Sequence, residues 1–426
     1  MDFKAPRGTS DHLPDLKAYW NKIEMIARET AKSFGYNEIT TPIFEQTSLF
    51  KRAVGEGTDV VTKEMYNLTD IGGNKFTLRP EGTAPVCRAF IEHGMHNLPS
   101  PLRLFYIAPM FRHERPQSGR MRQHHQFGVE IFGDNSPEAD AEIILVGLTY
   151  LKKLGIKNLN LRLNSIGNKD SRKKFRKEFL QYFSKRKNDL PEIDKIKFDA
   201  NPIRILDSKE KVTKELILDS PKPIEFLDDE SNKHWKKLQE IINKIIKQFD
   251  DIDLVIDHNL VRGLDYYSMT VFEIEPLSRS EKSQASILSG GRYDNLISHI
   301  GGPDTPAAGF GSGIERIIIS MDEGFFDEES FPHLTIISLS SEAWIKTNIL
   351  SNKLRDRNIV VVNSSTNKSF KSQMRYANKI KSRYLMVVGD NELNNNEVEI
   401  KELLSGESFN TRFNFEDIYS KIIENG

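Results

Sequence analysis

Three arginines, Arg112, Arg262 and Arg316, stand in short polar peptides set between apolar stretches. A guanidinium is charged at every physiological pH, and its planar fork matches two oxygens of a phosphate or carboxylate at once. Arg112 lies in Phe111-Arg112-His113-Glu114, read here as a strand entering a polar loop, where it faces a ligand or pairs with Glu114. Arg316 closes Ala307-Ala308-Gly309-Phe310-Gly311-Ser312-Gly313-Ile314-Glu315-Arg316 and projects from the first turn of a helix. Alternating glycines leave one face of a strand bare, so that a flat group can approach the backbone or another strand can pack closely. The spacing fits neither the dinucleotide fingerprint nor the Walker loop. Arg262 precedes Gly263, which permits a tight turn. Such residues suit chemistry on anions, in which alignment and fixed positive charge lower the barrier.

The elements that must carry these residues follow from periodicity. Pro14 to Phe34 has helical spacing and ends at Gly35, and a second helix starts at Ser136 with Pro137 and stops at Gly155. Asn37 to Phe44, interrupted by Pro42, reads as an edge strand. Further strands are expected at 76–78, 102–108, 126–132, 254–257 and 270–275, and a helix over 314–321. Runs of strands with few helices between them indicate an antiparallel sheet and an α+β fold. The lysine-rich stretch from about Ser165 to Asp250 looks inserted into this fold. After about Glu328 to Pro332, apolar strands at 334–339, 359–363 and 384–389 alternate with helices, a βαβαβ pattern with a mostly parallel sheet. Asn394 to Asn396 reads as a loop.

Composition bounds the rest. A chain of 426 residues, 38% hydrophobic and 28% charged, exceeds what one core supports and is neither disordered nor membrane-embedded. No apolar run spans a bilayer and no signal peptide is read at the N-terminus. The single cysteine, Cys87, excludes an internal disulfide and a cysteine metal cage. These features point to the cytoplasm. The net charge of −1 hides a basic run from Lys169 to Lys187, either a solvated helix face or a surface for nucleic acid.

The peptides around Arg112 and Arg316 resemble motifs 2 and 3 of class II aminoacyl-tRNA synthetases, and Thr41-Pro42-Ile43-Phe44-Glu45 resembles motif 1. Leu260 to Tyr267, Ser289 to Asp294, Arg79 to Thr83 and Gln126 to Glu130 resemble peptides particular to the histidyl-tRNA synthetase family. The resemblance runs from Arg7-Gly8-Thr9 into the C-terminal region. It implies an antiparallel catalytic core of residues 1–165 and 251–328, an inserted helical domain at 166–250 and an α/β anticodon-binding domain at 332–426. It also implies ATP with Mg²⁺, L-histidine, tRNA(His), a homodimer, and a histidyl-adenylate intermediate.

By this resemblance Arg112 holds the α-phosphate, Glu114 the adenine amino group and Arg316 the γ-phosphate, with Arg120, His124 and Gly311 also at ATP. Arg262 lies across the α-phosphate from Arg112, and these two carry catalysis. An imidazole needs an acceptor and a donor, which Glu130 and the hydroxyl of Tyr266 or Tyr267 supply. Glu81, Thr83 and Gln126 offer acceptors to the α-ammonium. Gly82, Tyr293 and the two catalytic arginines complete the histidine site.

His124 stands where the family usually has an aromatic residue stacked on adenine, which predicts a lower or pH-sensitive ATP affinity. Met121 replaces the usual tyrosine of the motif 2 loop. No protein metal site is read: adjacent residues such as His124 and His125 point to opposite faces of a strand. Arg115 and Gln117 resemble the contact to the tRNA acceptor end, and the basic run at 169–187 is a candidate clamp on the acceptor arm. The regulatory subunit of ATP phosphoribosyltransferase shares this core, but it typically lacks the C-terminal domain and loses catalytic residues.

Overall fold

The structure, a computed structural model, describes residues 3–115, 119–277, 286–321 and 331–424. The chain divides into two compact units, Met1–Phe326 and Asp327–Gly426.

The strands of the first unit are β1 (Asn37–Glu38), β2 (Phe44–Gln46), β3 (Tyr66–Thr69), β4 (Lys75–Leu78), β5 (Leu102–Phe111), β6 (Gln123–Phe132), β7 (Leu159–Ser165), β8 (Ile252–Ile256), β9 (Ser268–Pro276), β10 (Leu288–Arg292) and β11 (Ala307–Gly313). Eight form one sheet in the order β1-β5-β6-β11-β10-β9-β7-β8, and β2-β4-β3 form a small second sheet. The large sheet is antiparallel through its centre, and parallel only where β1 meets β5 and β7 meets β8. The expected α+β fold with an antiparallel core is therefore present.

Period-two alternation assigns the two faces of the sheet. Phe105, Phe127, Val129 and Ile131 point into a core shared with helices Pro14–Ser33, Pro137–Lys153 and Asp229–Ile245, through Trp20, Ile23, Ile144, Trp235 and Leu238. Leu104, Tyr106, Ala108 and Met110 point the other way, into a cluster with Cys87, Phe90, Tyr266, Tyr267 and Tyr293. The helix starting at Pro137 is capped as its sequence demands, with Ser136 Oγ accepting from the Ala139 N–H at 3.3 Å. The left-handed φ of Gly35, +81°, follows the helix that ends at Ser33.

The lysine-rich stretch forms the connection between the parallel strands β7 and β8. It holds the helices Lys169–Ser184, Glu192–Ala200, Lys211–Leu218 and Asp229–Ile245. It contributes to both cores: Phe175, Phe179 and Phe183 enter one, Trp235 and Leu238 the other.

Three local expectations need correction. Phe111 to Glu114 is not a separate strand. β5 runs unbroken to Phe111, and Arg112 lies just past its end because the His113 N–H leaves β6 and bonds Glu64 O at 2.7 Å. The strand expected over Asn37 to Phe44 is two: β1 pairs with β5 at the edge of the large sheet and β2 pairs with β4 in the small one, with Pro42 in the break between them. In the second unit, Asn394 and Asn395 end a short helix, Asp390–Asn395, and Asn396 is its left-handed cap at φ +53°.

That unit has its own sheet of β12 (Leu334–Ser338), β13 (Val361–Asn363), β14 (Tyr384–Val388), β15 (Glu397–Glu402) and β16 (Ser408–Arg412), ordered β13-β12-β14-β15-β16. The three strands expected from the sequence are parallel, and the hairpin β15–β16 adds an antiparallel edge. Its core joins Leu334, Ile336, Met386, Val398, Ile400 and Ile418.

Candidate active site

The site face is the side of the large sheet away from the helices that pack on Trp20. Along β6, Gln126, Gly128 and Glu130 alternate onto this face, opposite Gly313, Gly311 and Gly309 of β11 in the antiparallel register. The three glycines are not equivalent. A Cβ at Gly309 would lie 1.9 Å from Glu130 Oε2, whereas at Gly311 or Gly313 the nearest atom would be 3.6 or 3.7 Å away. Gly309 is thus bare to admit a carboxylate of the protein itself, and only at Gly311 and Gly313 is there space for another group.

Glu130 is fully buried. One carboxyl oxygen accepts from Thr83 Oγ1 at 2.8 Å and the other from the Tyr293 hydroxyl. Burial pushes its pKa up to about 8, although both hydrogen bonds oppose the shift. Tyr266 leans on Tyr267 with ring centroids 4.7 Å apart and meets Tyr293 edge-on at 5.5 Å. Glu81 accepts from the backbone N–H groups of Thr83 and Ala84, at 2.8 and 2.9 Å, and so also caps the helix Thr83–Glu92. Burial raises its pKa while those bonds lower it. Gly82 has a steric reason. The ring of Tyr106 fills the space between Gly82 and Gly128, where a Cβ would fall 2.2 or 2.1 Å from its Cζ. Tyr106 escaped sequence reading because it looks like any aromatic on a strand.

Arg112 Nε donates to Pro80 O at 2.7 Å, and its Nη1 lies 3.7 Å from Glu114. Arg120 lies 3.2 Å from the other oxygen of Glu114. The ion pair weighed above for Arg112 therefore exists, in a cluster that carries more positive than negative charge. Arg316 donates to Gly119 O and Ser286 O, at 3.2 and 2.6 Å. Burial, then the like charge of Arg120, pushes its pKa down. Arg262 pairs with Glu273, donates to Ser289 Oγ at 2.7 Å, and stands over the Tyr267 ring. Among the described residues its Nε is buried without a hydrogen-bond partner. Glu273 and Ser289 are cross-strand partners on β9 and β10, so the sheet register presents both to one guanidinium. Neither was singled out from sequence, since a strand glutamate looks like a solvent-facing residue.

His124 and His125 face opposite ways. Burial, with Arg112 and Arg316 nearby, pushes His124 down to about 3. In the chain without ATP the ring is therefore neutral across the physiological range, which runs against the pH sensitivity expected of it. The His125 N–H donates to Glu315, and its ring meets Trp20 edge-on. Arg115 is exposed, and Gln117 lies outside the described residues.

Comparison with known proteins agrees with this geometry. The histidyl-tRNA synthetase profile matches residues 8–317, more than half of the chain. The chain belongs to the histidyl-tRNA synthetase family. The anticodon binding domain profile matches residues 333–425. A histidine–tRNA ligase of Caldanaerobacter subterraneus subsp. tengcongensis is 41% identical over 406 residues, covering 95% of this chain and 96% of the relative. One from Protochlamydia amoebophila is 43% identical over 418 residues, covering 96% and 97%. The apo histidyl-tRNA synthetase of S. aureus superposes with a TM-score of 0.78 at 31% identity, covering 99% of each chain.

As in that family, the chain is an ATP-using ligase that joins histidine to tRNA(His). A Bacillus halodurans structure described as an ATP phosphoribosyltransferase regulatory subunit/histidyl-tRNA synthetase shares the fold at 22% identity, with a TM-score of 0.65. The regulatory reading is the less supported one, because the closely similar full-length relatives are named as ligases. Among the described residues no helix is long and apolar enough to cross a membrane.

Proposed function

We propose that the face formed by β6, β11 and the 260–267 peptide is where histidine is activated, with the residues named above in the roles that the family resemblance gives them. The observation that carries this reading is one of register. β6 brings Glu130 and Gln126 onto the same face as the open glycines Gly311 and Gly313, so a cluster of polar side chains adjoins a bare strand. Glu130, Tyr266 and Tyr267 read the imidazole; Glu81, Thr83 and Gln126 receive the α-ammonium; Gly82 and Tyr293 shape the pocket. The bare strand at Gly311 takes the adenine, with Glu114, Arg120 and His124 around it and Arg316 on the terminal phosphate. Mg²⁺ enters with the ATP phosphates as part of that substrate. The nearby carboxylates Glu114 and Glu273 are already paired with arginines.

In the first step a carboxylate oxygen of histidine attacks the α-phosphorus, the bond to the β-phosphate oxygen breaks, and pyrophosphate leaves. No proton moves, because the carboxylate is already ionised. Arg112 and Arg262 bring two anions together and stabilise the charge that grows on the phosphoryl oxygens. In the second step a hydroxyl at the 3′ end of tRNA attacks the activated carbonyl, the bond to the phosphate oxygen breaks, and AMP leaves while the hydroxyl proton passes to its phosphate or to water. Arg115 and Gln117 guide that end, and the unit at 332–426 binds the anticodon.

Pyrophosphate exchange tests the reading. Arg262→His should lower kcat by orders of magnitude with a modest change in the KM for ATP, the pattern of an interaction made in the transition state. A near-normal kcat would remove Arg262 from the catalytic role.

Association as a homodimer, through the Pro42 peptide, belongs to the same proposal. Ile43, Phe44 and Leu68 are exposed on and beside the small sheet, an apolar surface that a second copy would cover. The proposed setting is the cytoplasm.

A further inference from the structure

We propose that Arg172, on the helix Lys169–Ser184, is a positioning residue for the reaction: its guanidinium fixes the backbone of Asp265 and Tyr267 and so sets where Arg262, Tyr266 and Tyr267 meet the substrates. The proposal rests on the reading of those three residues given above.

The peptide between β8 and β9 carries Arg262, Tyr266 and Tyr267, yet from Asp257 to Tyr267 it belongs to no strand. Its backbone is held by side chains and loops instead of a ladder. At one end Asn164 Nδ2 donates to Leu260 O at 3.0 Å, and the Asn259 N–H donates to Asp257 Oδ1 at 2.9 Å. At the other end Arg172 Nη1 donates to Tyr267 O at 2.6 Å, and Nη1 and Nη2 both donate to Asp265 O at 3.2 Å. The two carbonyls straddle Tyr266. The Asp265 N–H adds one bond, to Val54 O at 3.2 Å. Between the anchored ends a Cβ on Gly263 would meet nothing within 4 Å, so the backbone there is loosely packed, while Glu273 and Ser289 hold the tip of the Arg262 side chain.

The helix separates two uses of its cations. Lys169, Lys173, Lys174, Arg176 and Lys177 are exposed. Arg172 is turned inward beside the buried Ser171 and Phe175. Its acceptors are main-chain oxygens; the Asp265 carboxylate is reached by Asn201 at 3.4 Å. A guanidinium donating to two carbonyls two residues apart restrains the chain direction between them, which an ion pair on a side chain does not do. Displacing a catalytic group by about 1 Å costs roughly a hundredfold in rate.

The test is ATP–pyrophosphate exchange by the full chain with Arg172→Met, Arg172→Lys and Arg262→His. Arg172→Met is expected to lower kcat by about ten- to a hundredfold while the KM for ATP stays within about twofold. Arg172→Lys, which keeps the charge without the fork, is expected to fall between Met and the parent. A kcat for Arg172→Met within about twofold of the parent overturns the proposal. If the methionine variant does not fold, the lysine variant decides alone: a kcat lowered more than about threefold at unchanged KM for ATP supports it, and a parental kcat overturns it. A slow Arg262→His beside a parental Arg172→Met overturns only the role of Arg172. A parental Arg262→His overturns the assignment of Arg262, and a slow Arg172→Met then supports positioning through the tyrosines.

Discussion

Glu130 holds a tension between stability and recognition. Its carboxyl is buried, its two oxygens receive hydroxyls, and its pKa is raised from 4.5 to about 8. Between those values the folded chain keeps a proton that the unfolded chain has lost, so this group's contribution to stability falls as pH rises. Glu130→Gln should flatten that dependence, seen as a smaller drop in the urea midpoint from pH 5 to pH 8 than in the parent. The same change should raise the KM for histidine, because the amide replaces one oxygen of the carboxyl with an NH2 that cannot accept an imidazole N–H. His124 behaves oppositely: with its pKa at about 3, the ring has no charge to change near neutrality. His124→Phe should therefore leave the pH profile of the KM for ATP unaltered between about pH 6 and 8.

At the scale of the element, the β11 glycines divide by what stands opposite them. Gly309→Ala places a methyl 1.9 Å from Glu130 Oε2 and 2.4 Å from Val129 O. Overpacking of this kind should destabilise the chain by about 1–3 kcal/mol in denaturant unfolding and displace Glu130, raising the KM for histidine. Gly311→Ala meets nothing closer than 3.6 Å, so stability should hold and the KM for ATP should rise instead. The helix Lys169–Ser184 divides in the same way, with its phenylalanines inside and most of its cations outside. Reversing Lys173, Lys174 and Lys177 to glutamate should weaken tRNA binding and lessen its salt dependence while adenylate formation is kept. Unchanged tRNA affinity would reduce that face to a solvated one.

For the molecule as a whole, each of the two units has its own sheet and core. Removing residues 332–426 should leave pyrophosphate exchange within about threefold of the parent and abolish most charging of tRNA, and the excised unit should unfold cooperatively by itself. The apolar surface at Ile43, Phe44 and Leu68 predicts association: Phe44→Glu should shift sedimentation toward the monomer, and an unshifted dimer would place the interface elsewhere.

The family, the antiparallel core and the peptides that furnish the candidate site were legible in the sequence, because those peptides are short and ordered along the chain. Helix ends were legible where Ser136 and Gly35 supply local chemistry that needs no tertiary context. The hairpin β15–β16 was legible too in the alternation of Glu397 to Lys401, although it was not read.

Which strand faces which emerged from the folded chain alone. The register of β6 on β11 showed that Gly309 makes room for Glu130 while Gly311 stays open. Burial decided the protonation of Glu130 and the neutrality of His124, and packing turned one arginine of a basic helix inward onto the 260–267 peptide. The physical reason is common to all of these: charge state, clearance and side-chain direction depend on atoms brought near from distant parts of the chain, and no local pattern encodes them.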